Sequence, residues 1–482
     1  MAYPFPRAAL LAASTAFYVS ASFAPGVRAS VDDDVVLFWN SQFGDLVINS
    51  DGLENPGASS RAMAMMNLAI YDSVALSSGT DAFYTYDADF SIGDASSRVA
   101  ASQAAYTVLS SIFGGTQQAK LDSLLAQSLG LFADGASKTD GISLGSQVAD
   151  SIITKRSTDG YDTYAQYTPS GEIGRWGVDP VNPDQEAWGP NWGNVQTFAI
   201  DGVSGFLPVA PPAITSQAYA DAYNEVKALG SIDSATRTAE QTEIGLFWAY
   251  DREGLGTPLS FFNQAVQSVA EQEGNTFEEN AELFAMASVA MADAGIVAWN
   301  SKFEYDLWRP VSGIRQGDED GNDLTDGDLT WTPLGAPDGE ELTGFTPPFP
   351  TYVSGHATFG GALFEVLTQW YGGDLTFTLT SEELLYLLED GNEDLLAAYG
   401  LEGLEDAERT FTFSEAALEN SDSRVYLGIH WNYDSTEGQL AGELVAASLF
   451  HDGFFAAVPE PASILLLGFG ALLVGPRRHR SV

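Results

Sequence analysis

The chain has 482 residues, 45% of them apolar and 12% aromatic, enough to bury one large core or two ordinary ones. Lys and Arg number 20 against 66 Asp and Glu, a formal charge of -46 that repels nucleic acid and anionic lipid over most of the surface. There is no cysteine, which excludes disulfides, thiolate metal sites and cysteine nucleophiles and leaves no thiol for a strong oxidant to destroy.

In chain order, Arg7, the apolar run 8–17 and Val27-Arg28-Ala29 read as a secretory signal over residues 1–29. Apolar residues at helical spacing, with Ala and Met in quantity, predict helices over 61–74, 98–109, 241–250 and 280–299. Residues 160–212 are rich in Gly, Pro, Asn, Trp and Tyr without periodicity, so long packed loops are expected there, at a soft boundary between two helical halves. A second irregular insert spans 317–349. Asp318, Asp320 and Asn322 open it like a calcium loop, but Asp323 stands where the turn glycine belongs and Leu329 where the bidentate glutamate belongs, so it reads as a solvated acidic loop. Another apolar helical run covers 357–370, and no strand pattern accumulates. The expected fold is all-α, two helical-bundle halves within residues 30–457. At the end, Val458-Pro459-Glu460-Pro461, the apolar stretch 462–475 and Arg477, Arg478 and Arg480 form a tail over 458–482. Its 14 apolar residues fall short of the roughly 20 that span a bilayer upright.

Three blocks carry chemistry. The chain has four histidines, and His356 and His430 fall inside these blocks, while His451 and His479 have no comparable neighbours. Lys302 and Arg309 are seven apart, two turns along nearly one face of a helix that Pro310 would stop or bend, and they could converge on one anion. Arg offers a planar fork and Lys a point charge, a complementary pair for phosphate or vanadate, although such a pair alone is an ordinary solvated helix face. Ser354 precedes the run 357–370, so free N–H groups and the helix dipole favour an anion there; Gly355 permits its close approach and His356 projects from the first turn. Arg424 and His430 are six apart, and Asp434, four beyond His430, is spaced to fix the imidazole tautomer and leave the other nitrogen to attack or ligate. Zinc and iron sites do not surround themselves with a lysine and two arginines, so the ligand is an anion.

K-x6-R-P, S-G-H and S-R-x5-H-x3-D, in this order, resemble the motif set of the superfamily that joins type 2 phosphatidic acid phosphatases, bacterial acid phosphatases and vanadium-dependent haloperoxidases. The flanking text WNSKFEYDLWRPVSGIR, PPFPTYVSGHATFGGALFE, SRVYLGIHW and LFWAYDREGLGTPLSFFNQ is similar to the vanadium chloroperoxidase branch. That resemblance implies a vanadate cofactor cradled by Lys302, Arg309, Ser354, Gly355 and Arg424, with His430 binding vanadium and the site in the C-terminal bundle. It implies His356 as the acid–base residue, Lys302 polarising the bound peroxide, Trp299 and Phe349 lining the halide side, and Asp251 pairing with Arg424. The substrates implied are hydrogen peroxide and bromide or chloride, with Phe349 leaning towards chloride competence, and the product is hypohalous acid. The alternative is a secreted acid phosphatase in which His430 forms a phosphohistidine while His356 protonates the leaving alcohol. Val353 stands where the family usually has proline, a loss of about 0.4–1 kcal/mol through added freedom of the unfolded chain. The tail resembles the PEP-CTERM sorting signal, which implies export, processing by an exosortase and a location outside the cell or at its surface.

Overall fold

The computed structural model describes residues 34–451 apart from 51–54, 81, 86–87, 253 and 338–341; the expected signal over 1–29 and tail over 458–482 lie outside the described residues. The first half runs α1 (Val35–Ile48), α2 (Pro56–Ser77), α3 (Ser97–Phe113), α4 (Gln118–Gly130), α5 (Ala136–Arg156), an irregular stretch, then α6 (Gln217–Leu229), α7 (Ala239–Phe247) and α8 (Pro258–Glu273). The second contains α9 (Phe277–Tyr305), α10 (Pro310–Arg315), α11 (Gly355–Tyr371), α12 (Glu382–Leu387), α13 (Glu393–Ala398), α14 (Phe413–Tyr426) and α15 (Asn432–His451). The fold is all-α in two bundle-like halves. A two-stranded antiparallel ribbon, β1 (Thr376–Thr380) on β2 (Glu408–Thr412), was not expected; its signal is one short alternation in which Phe377, Leu379 and Phe411 turn inward.

Helix α9 is the rod common to both halves. Thr276 and Glu279 form a reciprocal capping box at its start, and 29 residues rich in Ala and Met carry it through the molecule. It is long and apolar enough to cross a membrane, but 94% of its most apolar stretch is buried in protein, which makes it a core helix. On one side it packs against α2, which also meets α3 and α5; on the other it packs against α11 and α15. One contiguous hydrophobic core joins the two sides.

Glycines bring α11 and α15 unusually close. A Cβ on Gly442 would sit 2.1 Å from the Thr358 carbonyl oxygen, and one on Gly438 would sit 2.8 Å from that of Ser354. The start of α15 is thereby pressed against the N-terminus of α11, where the Ser354 N–H donates to the Asp434 carbonyl at 2.9 Å.

The irregular stretch is only partly packed, with no buried residue over 161–172 or 201–212, and its anchors are polar. Asp293 of α9 accepts from the backbone N–H groups of Phe198 (2.6 Å), Ala199 (2.8 Å) and Ile200 (3.0 Å). Arg156, at the end of α5, donates to the carbonyls of Gln196 (2.6 Å) and Thr197 (3.1 Å). Asp159 joins Arg156 to Arg61 of α2. Asp318, Glu319, Asp323 and Asp326 of the acidic insert are exposed, as expected of a solvated loop, but its inner residues are not. Asp320 and Asn322 are buried, and Asp320 accepts from the Asn322 N–H and from the Thr325 hydroxyl, both at 2.8 Å, so its carboxylate organises the loop from inside. All five methionines among the described residues, Met63, Met65, Met66, Met286 and Met291, are buried.

Candidate active site

The first block does not lie on one helix. Helix α9 ends at Tyr305 because Asp306 takes a left-handed conformation (φ 51°), with its carboxylate accepting from the Tyr167 hydroxyl at 2.6 Å. Lys302 therefore occupies the last turn of α9, whereas Arg309 is extended and Pro310, the expected helix stop, is the first residue of α10. The two cations still converge. The Lys302 ammonium, fully buried, donates to the carbonyls of Pro350 (3.2 Å), Thr351 (3.1 Å) and Val353, so it grips the loop that delivers Ser354. Arg309 Nε donates to the Phe349 carbonyl at 2.9 Å, while Nη1 reaches the Ile429 carbonyl at 2.9 Å and His430 Nε2 at 3.0 Å. Its Nη2 is buried without a partner among the described residues.

Ser354 is the N-cap of α11, its hydroxyl accepting from the Ala357 N–H at 3.3 Å, and Gly355 and His356 form the first turn. His356 Nε2 lies 2.6 Å from the Trp248 carbonyl. A carbonyl only accepts, so Nε2 carries the proton and Nδ1 of the neutral ring is the acceptor. Burial, then Arg424, holds His356 well below the ordinary histidine range, so the ring is neutral at physiological pH.

Arg424 lies in the last turn of α14. Nε donates to the Ser423 hydroxyl at 3.0 Å, Nη1 lies 3.6 Å from Asp251 Oδ2, an ion contact too long for a hydrogen bond, and Nη2 is buried without a partner among the described residues. Burial raises the Asp251 carboxyl to about 6 against the pull of Arg424. Burial also lowers Arg309 to about 9 and Arg424 to about 10, which leaves both cationic at neutral pH.

His430 sits in the turn between α14 and α15, and Asp434 in the first turn of α15. His430 Nδ1 is 3.0 Å from Asp434 Oδ2 and 3.0 Å from the Thr351 hydroxyl, which itself donates to that carboxylate oxygen. A carboxylate on Nδ1 fixes the proton there and leaves Nε2 as the acceptor, which Arg309 Nη1 meets at 3.0 Å. Burial, then Arg309, Lys302 and Arg424, holds His430 well below the ordinary histidine range, so it is a neutral imidazole fit to ligate. Burial raises the Asp434 carboxyl, while the Thr351 hydroxyl, the Trp431 N–H and Lys302 pull it the other way.

These groups meet at a cleft of about 450 Å³ whose wall includes Asp251, Trp299, Phe349, Gly355, His356, Arg424 and His430. The rings of Trp299 and Phe349 are 5.1 Å apart, and Trp188, from the irregular stretch, closes on Trp299 at 5.2 Å and on Phe349 at 6.3 Å. The sequence reading missed Trp188, Thr351 and the Trp248 carbonyl. Only the aromatic richness of 160–212 hinted at the first; the other two are ordinary until the fold brings them to His430 and His356. Two buried guanidinium nitrogens without partners, a neutral imidazole whose Nε2 faces only an arginine, and a helix N-terminus fit a tetrahedral oxyanion such as vanadate. Lys302 is the exception in that set, since its donors are all on carbonyls.

A helical bundle with such a site has the donor set of an oxyanion-binding protein. Within that class, residues 282–453 match the family model of the VCPO second helical-bundle domain. Vanadium chloroperoxidase of Curvularia inaequalis is 31% identical over an alignment of 487 residues, covering 83% of this chain and 79% of that protein. The chain belongs to the vanadium chloroperoxidase family. Among solved structures, the first bacterial vanadium-dependent iodoperoxidase superposes with a TM-score of 0.67 at 23% identity, over 86% of this chain and 94% of that one. A holo-type bacterial vanadium-dependent chloroperoxidase gives 0.60 at 15% identity, over 86% and 96%; at these identities both establish the fold alone.

Proposed function

We propose that the protein is a vanadate-dependent haloperoxidase that oxidises halide with hydrogen peroxide to hypohalous acid. The observation that carries this, within the family, is the pair of partnerless buried nitrogens, Arg309 Nη2 and Arg424 Nη2, flanking a neutral His430. Vanadate, when bound, supplies a Lewis-acidic centre that activates peroxide without changing its own oxidation state.

His430 Nε2 would hold the vanadium, with Asp434 and Thr351 keeping the proton on Nδ1. Arg309 and Arg424 would each turn Nη2 to an oxyanion oxygen, and Ser354 and the Gly355 N–H would complete the cradle from the start of α11. Lys302 would polarise the bound peroxide by releasing one carbonyl of the 350–353 loop. His356 Nδ1, the acceptor atom of a ring anchored through Nε2, would take and return the proton. Asp251 would hold Arg424 in place. Trp299 and Phe349 would give the halide an apolar, weakly solvated wall that strips water from chloride. The balance is one peroxide, one halide and one proton to hypohalous acid and water.

Elemental analysis after loading with vanadate, with bromide, chloride and phosphomonoester assays on the same preparation, tests this. Stoichiometric vanadium with halide oxidation is expected; phosphomonoester hydrolysis without halide oxidation would overturn it in favour of the phosphohistidine route. We further propose export with exosortase processing of the tail, a reading supported by the residues of 1–29 and 458–482. Cell fractionation would check it.

A further inference from the structure

A halide arriving at the cleft meets two obstacles. The chain carries a formal charge of -46, and an oxyanion held in the cradle would compensate Arg309 and Arg424, so little of their charge would remain for a second anion. The wall of Trp299 and Phe349 then strips water from the halide, which is costly unless a cation stands near.

The described wall has two arginines, Arg424 of the cradle and Arg252, which belongs to none of the three motif blocks. Helix α12 clamps the Arg252 guanidinium. Nε donates to both oxygens of Glu383 at 3.0 Å and Nη2 donates to Oε1, while the Tyr386 ring, three residues further along α12, lies 3.9 Å from Cζ. The clamp is itself fixed to the segment that leads from α7 to Arg252: the Ser381 hydroxyl donates to the Phe247 carbonyl and the Glu382 N–H to the Tyr250 hydroxyl, both at 3.0 Å. One donor is left over. Arg252 Nη1 makes no hydrogen bond among the described residues, and it is open, unlike the Nη2 atoms of Arg309 and Arg424, which are sealed in the protein.

The pair is also polarised towards the cleft. The Glu383 side chain is fully buried and forms no part of the wall, whereas the Arg252 side chain is 7% exposed and does. An anion in the cleft therefore stands nearer the guanidinium than the carboxylate. Asp251, the one acid in the described wall, faces Arg424.

We propose that Arg252 Nη1 is a capture site for the halide, a small monovalent anion, outside the vanadate cradle, with Glu383 and Tyr386 as the positioning residues that aim it. The site takes its purpose from the haloperoxidase reading. One charge-assisted hydrogen bond holds the halide there while it loses water, and no covalent bond forms or breaks.

The test uses the vanadate-loaded full chain without peroxide and follows chloride binding by broadening of the chloride NMR line, with bromide as competitor. KM values for bromide and for hydrogen peroxide are measured in parallel. Arg252→Gln with Glu383→Gln replaces the ion pair by two amides and leaves no buried charge unpaired. This double variant should lose the bromide-displaceable broadening and raise the bromide KM about ten-fold, with the vanadium content and the KM for peroxide, a neutral molecule, staying at wild-type values. If the double variant does not fold, Arg252→Lys, which keeps a cation for Glu383 but has no Nη1, should shift the bromide KM in the same direction and spare that of peroxide. A wild type without displaceable broadening, a bromide KM that does not move, a peroxide KM that rises in step with it, or a loss of vanadium would each overturn the proposal. Broadening that depends on Arg252 in a preparation unable to oxidise halide would uphold the anion site, while overturning its place in turnover together with the haloperoxidase reading.

Discussion

His430 and His356 face one cleft with opposite proton assignments, the first protonated on Nδ1 by its contact with Asp434 and the second on Nε2 by the Trp248 carbonyl. The division of labour follows. His430→Ala should lose vanadium from the purified, loaded protein, whereas His356→Ala should retain it and lose about 10²–10⁴-fold in turnover; equal vanadium contents in the two variants would contradict these roles. Phe349→His puts a polar ring beside the halide wall, and it should depress chloride turnover more than bromide turnover in steady-state assays on both halides. A wild type active on bromide and inert to chloride would remove Phe349 as a specificity residue. At this scale the motif residues were legible through three ordered blocks that resemble the family's motif set, each pair being ordinary by itself. Thr351 and Trp188 were not, since neither residue type announces that it will rest on a histidine or an indole far away in the chain. The geometry behind Lys302 and Arg309 was also misread: KFEYDLWRP contains no glycine, so the left-handed Asp306 that ends α9 left no mark.

At the scale of elements, the five predicted helices fall on α2, α3, α7, α9 and α11, with α7 stopping three residues short of its predicted end and the others reaching further than their periodic cores. Caps outside those cores, Asn55 for α2 and Thr276 for α9, account for the extra turns at their starts. The contact of α11 with α15 depends on Gly442, whose replacement by Ala puts a methyl against the Thr358 carbonyl. Gly442→Ala should cost about 1–3 kcal/mol in urea unfolding, and it should weaken vanadate binding because Ser354 and Asp434 meet across the same seam. Helix α9 carries a second liability. Burial, then Glu279, raises Glu282 to about 7, and its Oε1 is buried without a partner among the described residues. A carboxyl with a raised folded pKa contributes its full stability below the ordinary glutamate range and loses it as pH climbs through about 7. Thermal melts should therefore fall between about pH 5 and about pH 8 more steeply for the wild type than for Glu282→Gln.

Across the whole molecule, an all-α chain without cysteine and with every described methionine buried presents little accessible sulfur to an oxidant. Peptide mass spectrometry after extended bromide turnover should find methionine sulfoxide at these five positions only in fractions that have already lost their folded circular dichroism. Sulfoxide at Met65 or Met286 in fully active protein would show that the core opens during turnover. Composition made the absence of sulfhydryls plain, but burial of the thioethers is a property of packing alone. Packing also gives α9 a further consequence. Asp293 on this helix tethers the stretch that carries Trp188, six residues before Trp299 supplies the facing ring and Lys302 clasps the third wall. All three surfaces of the cleft are thus set by one helix, so a substitution that shifted α9 would move them together.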